Sequence, residues 1–589
     1  MIPTGNFLEN IHNEQYEQPF HTKPLTHLTM IADNGREKEP LSGYWHFQVD
    51  WYDSCLRSRW FEENYQDAAG RYQPVDYSFD QWEKTPVPSC WNVQAEKYYY
   101  YEGPAVYTRT FKYVNKGEQR VFIKFGAANY EAKIFLNKKY IGFHKGGSTP
   151  FFAEVTGLLQ EINRLLVVVD NTRKTNAVPC RNTDWFNYGG LYREVELIRL
   201  PGTFIKDWAI HLEPDSNFQK IRVKLTVDGE KMNGEALLAI PELNMAEKIT
   251  VVNGCGAKTV ESRPELWSPE NPKLYDVTVA YAEDRIDERI GFREIKAVGT
   301  EIFLNGVRIF LKGVSCHEES VINGKAVTEA EIIENYRLAK EMNCNFMRLA
   351  HYPHSEKAAR IADKIGIMLW EEIPVYWAID FANPETYRDA ENQLLELIKR
   401  DQNRASVIIW SVGNENADSD ARLQFMSSLA KTAQQTDPSR LVSAACLIDH
   451  INSKINDRLA DFLDIIGINE YYGWYDPDFE KLPRIFNNSQ PNKPVIITEF
   501  GADALPGARG TADDLGTEDC QLAVYKRQVS LIQTIEYIQG TTPWILFDFR
   551  CPRRANALQN GYNTKGLLSA DKQYKKPAFY IMQDFYAAK

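Results

Sequence analysis

Hydrophobic and polar positions change rhythm twice along this chain. From Leu41 to about Leu200, short alternating runs recur at Trp45–Val49, Val121–Phe125, Ala132–Leu136 and Leu165–Val169, with turn residues such as Asn137, Lys138 and Lys139 between them. Evenly spaced short strands of this kind predict an antiparallel sandwich, a β jelly roll. Before it, Met1 to about Pro40 is polar and mixed, and is expected to wrap a surface. Leu200, Pro201 and Gly202 read as a linker. A second set of alternating runs follows at Trp208–Leu212, Ile221–Val227, Ala236–Ile240 and Val277–Tyr281. Its size suits an immunoglobulin-like β-sandwich, and no Cys…Trp…Cys core makes it antibody-type.

After about Gly291 the period changes again, and strand and helix patterns alternate to the end. Strands are predicted at Val307–Val314, Phe346–Leu349, Ile367–Trp370, Val407–Trp410, Leu441–Cys446, Ile465–Ile468, Val495–Thr498 and Trp544–Phe547. Helices are predicted over Thr328–Asn343, Ser355–Lys364, Pro384–Arg400, Asp418–Gln434 and Gln521–Ile538. Eight such strands with intervening helices predict a C-terminal (β/α)8 TIM barrel. The domains are therefore expected at 1–200, 201–292 and 293–589. Two of the barrel runs are continuous and β-branched, as strands covered on both faces require. One leads through Gly413 into Asn414 and Glu415, the fourth strand end, and the other into Glu499, the seventh.

A length of 589 residues exceeds one core, in keeping with several domains. Aromatics reach 12%, which fits sandwich cores and sugar-stacking surfaces alike. The net charge of −12 argues against nucleic acid or an anionic membrane as a partner. Nine scattered cysteines without a C-x-x-C fit reduced, buried thiols in a cytoplasmic protein. No apolar leader and no run of about 18 apolar residues occurs, so neither standard export nor a membrane span is expected.

Two carboxylates on barrel strand tips have the makings of glycosidic bond cleavage. One must protonate the leaving oxygen while the other meets the anomeric carbon, at about 5 Å separation in retaining enzymes. The alternative is two unrelated exposed acids. The amide of Asn414 is placed to bond a sugar hydroxyl. His317, Arg348, His351 and Tyr352 end the first two strands and are candidates for the same mouth. His351 and His354 have a spacing that a metal could use, but no third ligand accompanies them. From Phe549 to Ala570 the chain carries Arg550, Arg553, Arg554 and Lys565 with no Asp or Glu. Such a loop is an anion pocket, a solvated basic segment, or one paired with acids elsewhere in the chain.

The segments FNYGGLYR, NGVRIFLKGVSCHEE, WSVGNE and ITEFGAD resemble signatures of glycoside hydrolase family 2, as does the order sandwich, immunoglobulin-like, barrel. That resemblance implies Glu415 as acid/base and Glu499 as nucleophile. It also implies substrate contacts from Asp184, His317, Asn414, Asn469, Tyr471, Tyr475 and Trp544. Within the family, Asn-x-Lys after the last strand marks members acting on β-glucuronides, and here it is Asn563, Thr564 and Lys565. Some members place an Arg four residues earlier, where this chain has Gln559, so either Arg553 or Arg554 substitutes or the carboxylate is held less tightly. The stretch Pro374–Pro384 lacks the long loop of some bacterial members. The resemblance implies a retaining exo-glycosidase without metal or organic cofactor. Its expected partners are β-glucuronide small molecules or uronate-terminated oligosaccharides, and the enzyme is expected to be a homo-oligomer. The alternatives are a β-galacturonidase or β-galactosidase on the same scaffold, or a catalytically silent carbohydrate-binding protein.

Overall fold

Continuous apolar runs such as 407–410 and 495–497 bury both faces of a strand, and eight strands close a barrel in this protein. The computed structural model describes residues 18–589 except 64–65, 67–68, 72–74, 76, 115–116 and 118. Residues 1–17 of the expected wrapping segment lie outside the described residues. The barrel strands are β1 (Leu311–Cys316), β2 (Phe346–Leu349), β3 (Met368–Glu372), β4 (Val407–Asn414), β5 (Leu441–Cys446), β6 (Ile466–Asn469), β7 (Val495–Glu499) and β8 (Ile538–Thr541). They pair in that order and β8 pairs with β1. The pleat splits each strand between two cores. Phe346, Trp370, Ile409 and Ile496 join one cluster, and Met347, Leu369, Trp410 and Ile497 join the other with the helices.

The helices around the barrel are α1 (Glu329–Glu341), α2 (Glu356–Ile365), α3 (Pro384–Asp401), α4 (Asp420–Thr436), α5 (Lys481–Ser489), α6 (Glu518–Ile532) and α7 (Pro577–Ala587). The starts of α1, α2, α3, α4 and α6 follow from side-chain caps. Thr328 and Glu331 form a reciprocal capping box on α1, and Ser355, Asn383, Ser419 and Thr517 cap the next four long helices. The sequence reading had no counterpart for α5 or α7.

Two predicted strands are corrected. The first splits: Val307–Ile309 pairs back on Glu301–Leu304, and the barrel strand starts only at Leu311. Asn305 and Gly306, both at positive φ, make the two-residue turn that draws Val307 away. The eighth strand is Ile538–Thr541 rather than Trp544–Phe547, and the helix expected to reach Ile538 stops at Ile532. Gln539 and Gly540 give β8 little hydrophobic signal; a Cβ on Gly540 would lie 2.6 Å from that of Leu311. The apolar run 544–547 instead crosses the strand ends, with the Trp544 N–H on the Phe500 carbonyl (2.9 Å) and the Leu546 N–H on the Ser315 carbonyl (2.9 Å).

The chain divides into two compact units, Met1–Thr172 with Asn187–Phe204, and Arg173–Phe186 with Ile205–Lys589. The first is a pair of antiparallel sheets. Strands 83–87, 43–49, 104–112, 162–170, 131–136 and 139–145 form one, and 38–40, 195–201, 119–125 and 151–154 the other. The second unit holds the barrel and a seven-stranded antiparallel ladder over residues 204–290, the immunoglobulin-like module. Arg293 ties its exit to the barrel by donating to the Ala405, Val407 and Ser439 carbonyls. None of the nine cysteines is in a disulfide, and all but Cys255 are buried. Among the described residues no helix is long and apolar enough to cross a membrane.

Candidate active site

Strand ends β2, β3, β4 and β7 converge on one buried cation. Arg348 is fully buried and donates to Glu499 Oε1 (2.8 Å), Asn414 Oδ1 (2.8 Å) and Glu372 Oε1 (3.1 Å). Burial alone would raise the Glu372 carboxyl. Arg348, His351 and the Trp370 indole instead hold it down at about 2. Arg348 therefore has an ionised partner behind it and Glu499 in front. The second oxygen of Glu499 accepts from the Tyr471 hydroxyl at 2.7 Å. Both Glu499 oxygens are thus fixed before any ligand arrives, which is preorganisation of the carboxylate.

Glu415 follows the wholly buried strand β4 and turns into the left-handed region at φ 52°. Its N–H bonds the Ala445 carbonyl of β5 (2.8 Å), and its Oε2 accepts from the Trp377 indole (2.7 Å). Burial first, and then the Glu499 charge, push the Glu415 carboxyl up to about 7, against the pull of hydrogen bonds from Asn469 and Trp377. A carboxyl poised near neutrality beside a second carboxylate is what acid–base work at an anomeric centre needs.

One cavity of about 230 Å³ is lined by Asp184, Glu415, Asn469, Tyr471, Tyr475, Glu499, Trp544, Asn563 and Lys565 among others. The remaining residues predicted for this mouth, His317, Arg348, Tyr352 and Asn414, do not line it. Asn414 Oδ1 takes bonds from Arg348 and Asn469, which leaves its amide nitrogen unpartnered among the described residues. His317 is buried, bonded through Nδ1 to Tyr352 (3.1 Å) and packed edge-on to Trp544. Burial, and then the neighbouring His351, His354, Lys325 and Arg348, push its imidazole well below the ordinary range, so it stays neutral. His351 stacks on Trp544 (4.8 Å) and bonds Glu372, while His354 bonds the Ala350 carbonyl. Among the described residues no group of three or more His, Cys, Asp or Glu side chains could hold a metal.

The far wall is cationic but internally paired. Lys565, fully buried, bonds Asp503 Oδ2 (2.7 Å) and the Tyr475 hydroxyl (2.9 Å). Arg554 bonds Asp184 Oδ2 (2.7 Å) and the same Tyr475 hydroxyl (3.3 Å). Asn563 donates to Asp184 Oδ2 (3.2 Å). Gln559 contacts Asp503 Oδ1 (3.0 Å), and so sits behind Lys565. Arg553 lies over the Trp377 ring at 4.5 Å. Arg550 faces away, donating to the Ser320 and Val321 carbonyls. Sequence position alone did not single out Glu372, Trp377, Asp503 or His450, the last of which also lines the cavity. Of these, Glu372 closes the run MLWEE, and Trp377 follows a barrel strand end; that position was the available signal.

Known proteins share this arrangement of modules. Residues 295–588 match the TIM barrel domain of glycosyl hydrolases family 2, 38–201 its sugar binding domain, and 203–293 the domain described as glycosyl hydrolases family 2. The chain belongs to glycosyl hydrolase family 2. It is a glycoside hydrolase of three family 2 modules. It is similar to a β-glucuronidase of Paenibacillus borealis, 29% identical over 595 residues that cover 92% of this chain and 96% of that relative. Among solved structures it is similar to a β-glucuronidase of an uncultured Clostridium sp., with a TM-score of 0.82, 26% identity, and coverage of 95% and 99% of the two chains. A family 2 β-galacturonidase from Eisenbergiella tayi bound to galacturonate shares the fold, with a TM-score of 0.82 at 24% identity, covering 97% of this chain and 99% of that one.

Proposed function

We propose that this family 2 enzyme is a retaining exo-β-glucuronidase that releases glucuronate from small β-glucuronides or uronate-terminated oligosaccharides. The observation that carries the reading is the pairing of two cations, Lys565 and Arg554, on one hydroxyl, that of Tyr475, in the cavity that also holds Glu415 and Glu499. A uronate carboxylate must lose water on entry, and charge-assisted donors offset that cost. Lys565 supplies the charge and Asn563 an amide that fixes direction, with Arg554 completing the cradle. The β-glucuronidase names of relatives along nearly the full chain support the same substrate class.

In this reading Glu499 attacks the anomeric carbon as Glu415 passes its proton to the leaving oxygen, giving a glycosyl ester on Glu499. Glu415, now a carboxylate, takes a proton from water, and the hydroxide formed displaces Glu499. Asn469 meets the sugar hydroxyls with Asn414 bracing it through Oδ1, Trp544 and Tyr471 bound the ring, and Asp184 orients Arg554 and Asn563. His317 acts from behind by seating Trp544. The chain's division at 1–200, 201–292 and 293–589, a homo-oligomeric assembly and a cytoplasmic location belong to the same proposal, and the reaction draws on no cofactor. Turnover of chromogenic glucuronide, galacturonide and galactoside tests it. Glucuronide is expected to be preferred by orders of magnitude, and preference for either other sugar overturns the assignment.

A further inference from the structure

Glu415 accepts a hydrogen bond that none of the predicted site residues supplies. Trp377 stands in the short segment after β3, itself at φ 52°. Its backbone is pinned by the two residues that flank Glu415: its N–H donates to the Asn414 carbonyl (3.0 Å), and its carbonyl accepts from Asn416 Nδ2 (2.8 Å). Its ring is packed by Tyr376, at 4.6 Å between centroids, and by the Arg553 guanidinium. The indole N–H is thereby delivered to Glu415 Oε2 from a frame built on Glu415's own neighbours.

We propose that Trp377 is a positioning residue that decides which oxygen of Glu415 carries the acid proton and how readily it leaves. The inference rests on the acid/base role proposed above. An indole N–H only donates, so Oε2 is committed as an acceptor and the proton resides on Oε1. When Oε1 gives that proton to the leaving oxygen, the carboxylate gains charge and the bond to Oε2 becomes charge-assisted and stronger. The indole proton itself never transfers. Trp377 therefore favours the transition state of proton donation over the ground state, which is where an interaction raises rate. Substrates with poor leaving groups depend on it most.

Trp377→Phe keeps the ring and deletes the donor. Its kcat/KM for alkyl or sugar glucuronides is expected to fall roughly tenfold or more, and for activated aryl glucuronides much less. The alkaline limb of the kcat/KM profile is expected to move up by about one pH unit, because the lost bond favoured the carboxylate. A merely structural role would lower all substrates alike and leave that limb in place, and either result overturns the inference. Should Trp377→Phe not fold, the parent answers by NMR. With indole-15N labelling, one indole N–H is expected to titrate near pH 7 and to stop titrating in Glu415→Gln; no such resonance overturns the inference. If Glu415→Gln retains full turnover of poor leaving groups, it is the acid/base reading that fails. If Glu415→Gln loses that turnover while Trp377→Phe matches the parent, only the role of Trp377 fails.

Discussion

Removing Lys565 should do two separable things, because this cation serves both a buried partner and a bound carboxylate. Lys565 and Asp503 are each nearly fully buried and 2.7 Å apart. Lys565→Met strands the Asp503 charge, and breaking a buried pair from one side costs about 3–5 kcal/mol. The remaining donors to Asp503, from Gln559 and Thr564, put this case at the lower end. Lys565→Met/Asp503→Asn removes both charges and should recover most of the loss. The substrate effect should not recover. One charge-assisted hydrogen bond contributes about 1.5–3 kcal/mol, so glucuronide kcat/KM should fall roughly 10- to 150-fold in both variants. Thermal scans of the barrel transition and steady-state kinetics on glucuronide and a neutral glucoside read the two effects. In the stable double variant the glucoside should lose nothing. If glucuronide turnover returns along with stability, or if both sugars fall together, Lys565 is a structural cation and the reasoning is refuted.

A mechanism-based 2-fluoro-glucuronide should label a single peptide containing Glu499, and mass spectrometry finding another site removes it as nucleophile. Glu415, raised to about 7, must be protonated to act as acid, so kcat/KM should decline above about pH 7 and this limb should vanish in Glu415→Gln. The same raised value lowers stability wherever the group is ionised. Glu415→Gln should be more stable than the parent by roughly 1–3 kcal/mol above pH 7, with the gap closing below about pH 4.5, as melting against pH would show. Glu372 is held down at about 2, so its contribution is full above its unfolded value and lost as pH falls through the folded one. Glu372→Gln should therefore cost stability at neutral pH and converge with the parent near pH 2, while freeing Arg348 and lowering kcat.

Much of the barrel was legible because β4 and β7 are continuous apolar runs with no competing reading. Ile538–Thr541 was not legible, since a strand seated on Leu311 by Gly540 carries almost no hydrophobic signal, whereas the apolar run that caps the barrel mouth mimics one. The strand-tip residues could be named from position. Their partners could not, because pairing is a property of the folded chain. Nothing in the order of residues joins Lys565 to Asp503, Arg554 to Asp184, or the Trp377 indole to Glu415. A basic loop free of acids left an anion pocket, a solvated segment and pairing with distant acids all open, and folding made it a wall of ion pairs with acids supplied from elsewhere in the chain.

The segment Arg173–Phe186 lies, in sequence, between two strands of the first sandwich, yet it clusters with the barrel unit and brings Asp184 to the cavity. This makes the boundary of the catalytic apparatus different from any single cut in the gene. A barrel expressed from residue 293 onward would lack Asp184, and Arg554 and Asn563 would lose their shared acceptor. Exchanging residues 1–200 with those of another family 2 enzyme would transplant part of the active-site wall along with the sandwich. Recombination in such enzymes is therefore constrained to keep the loop and its barrel together, and a chimera that respects the loop should keep its substrate range where one that respects only the domain linker changes it.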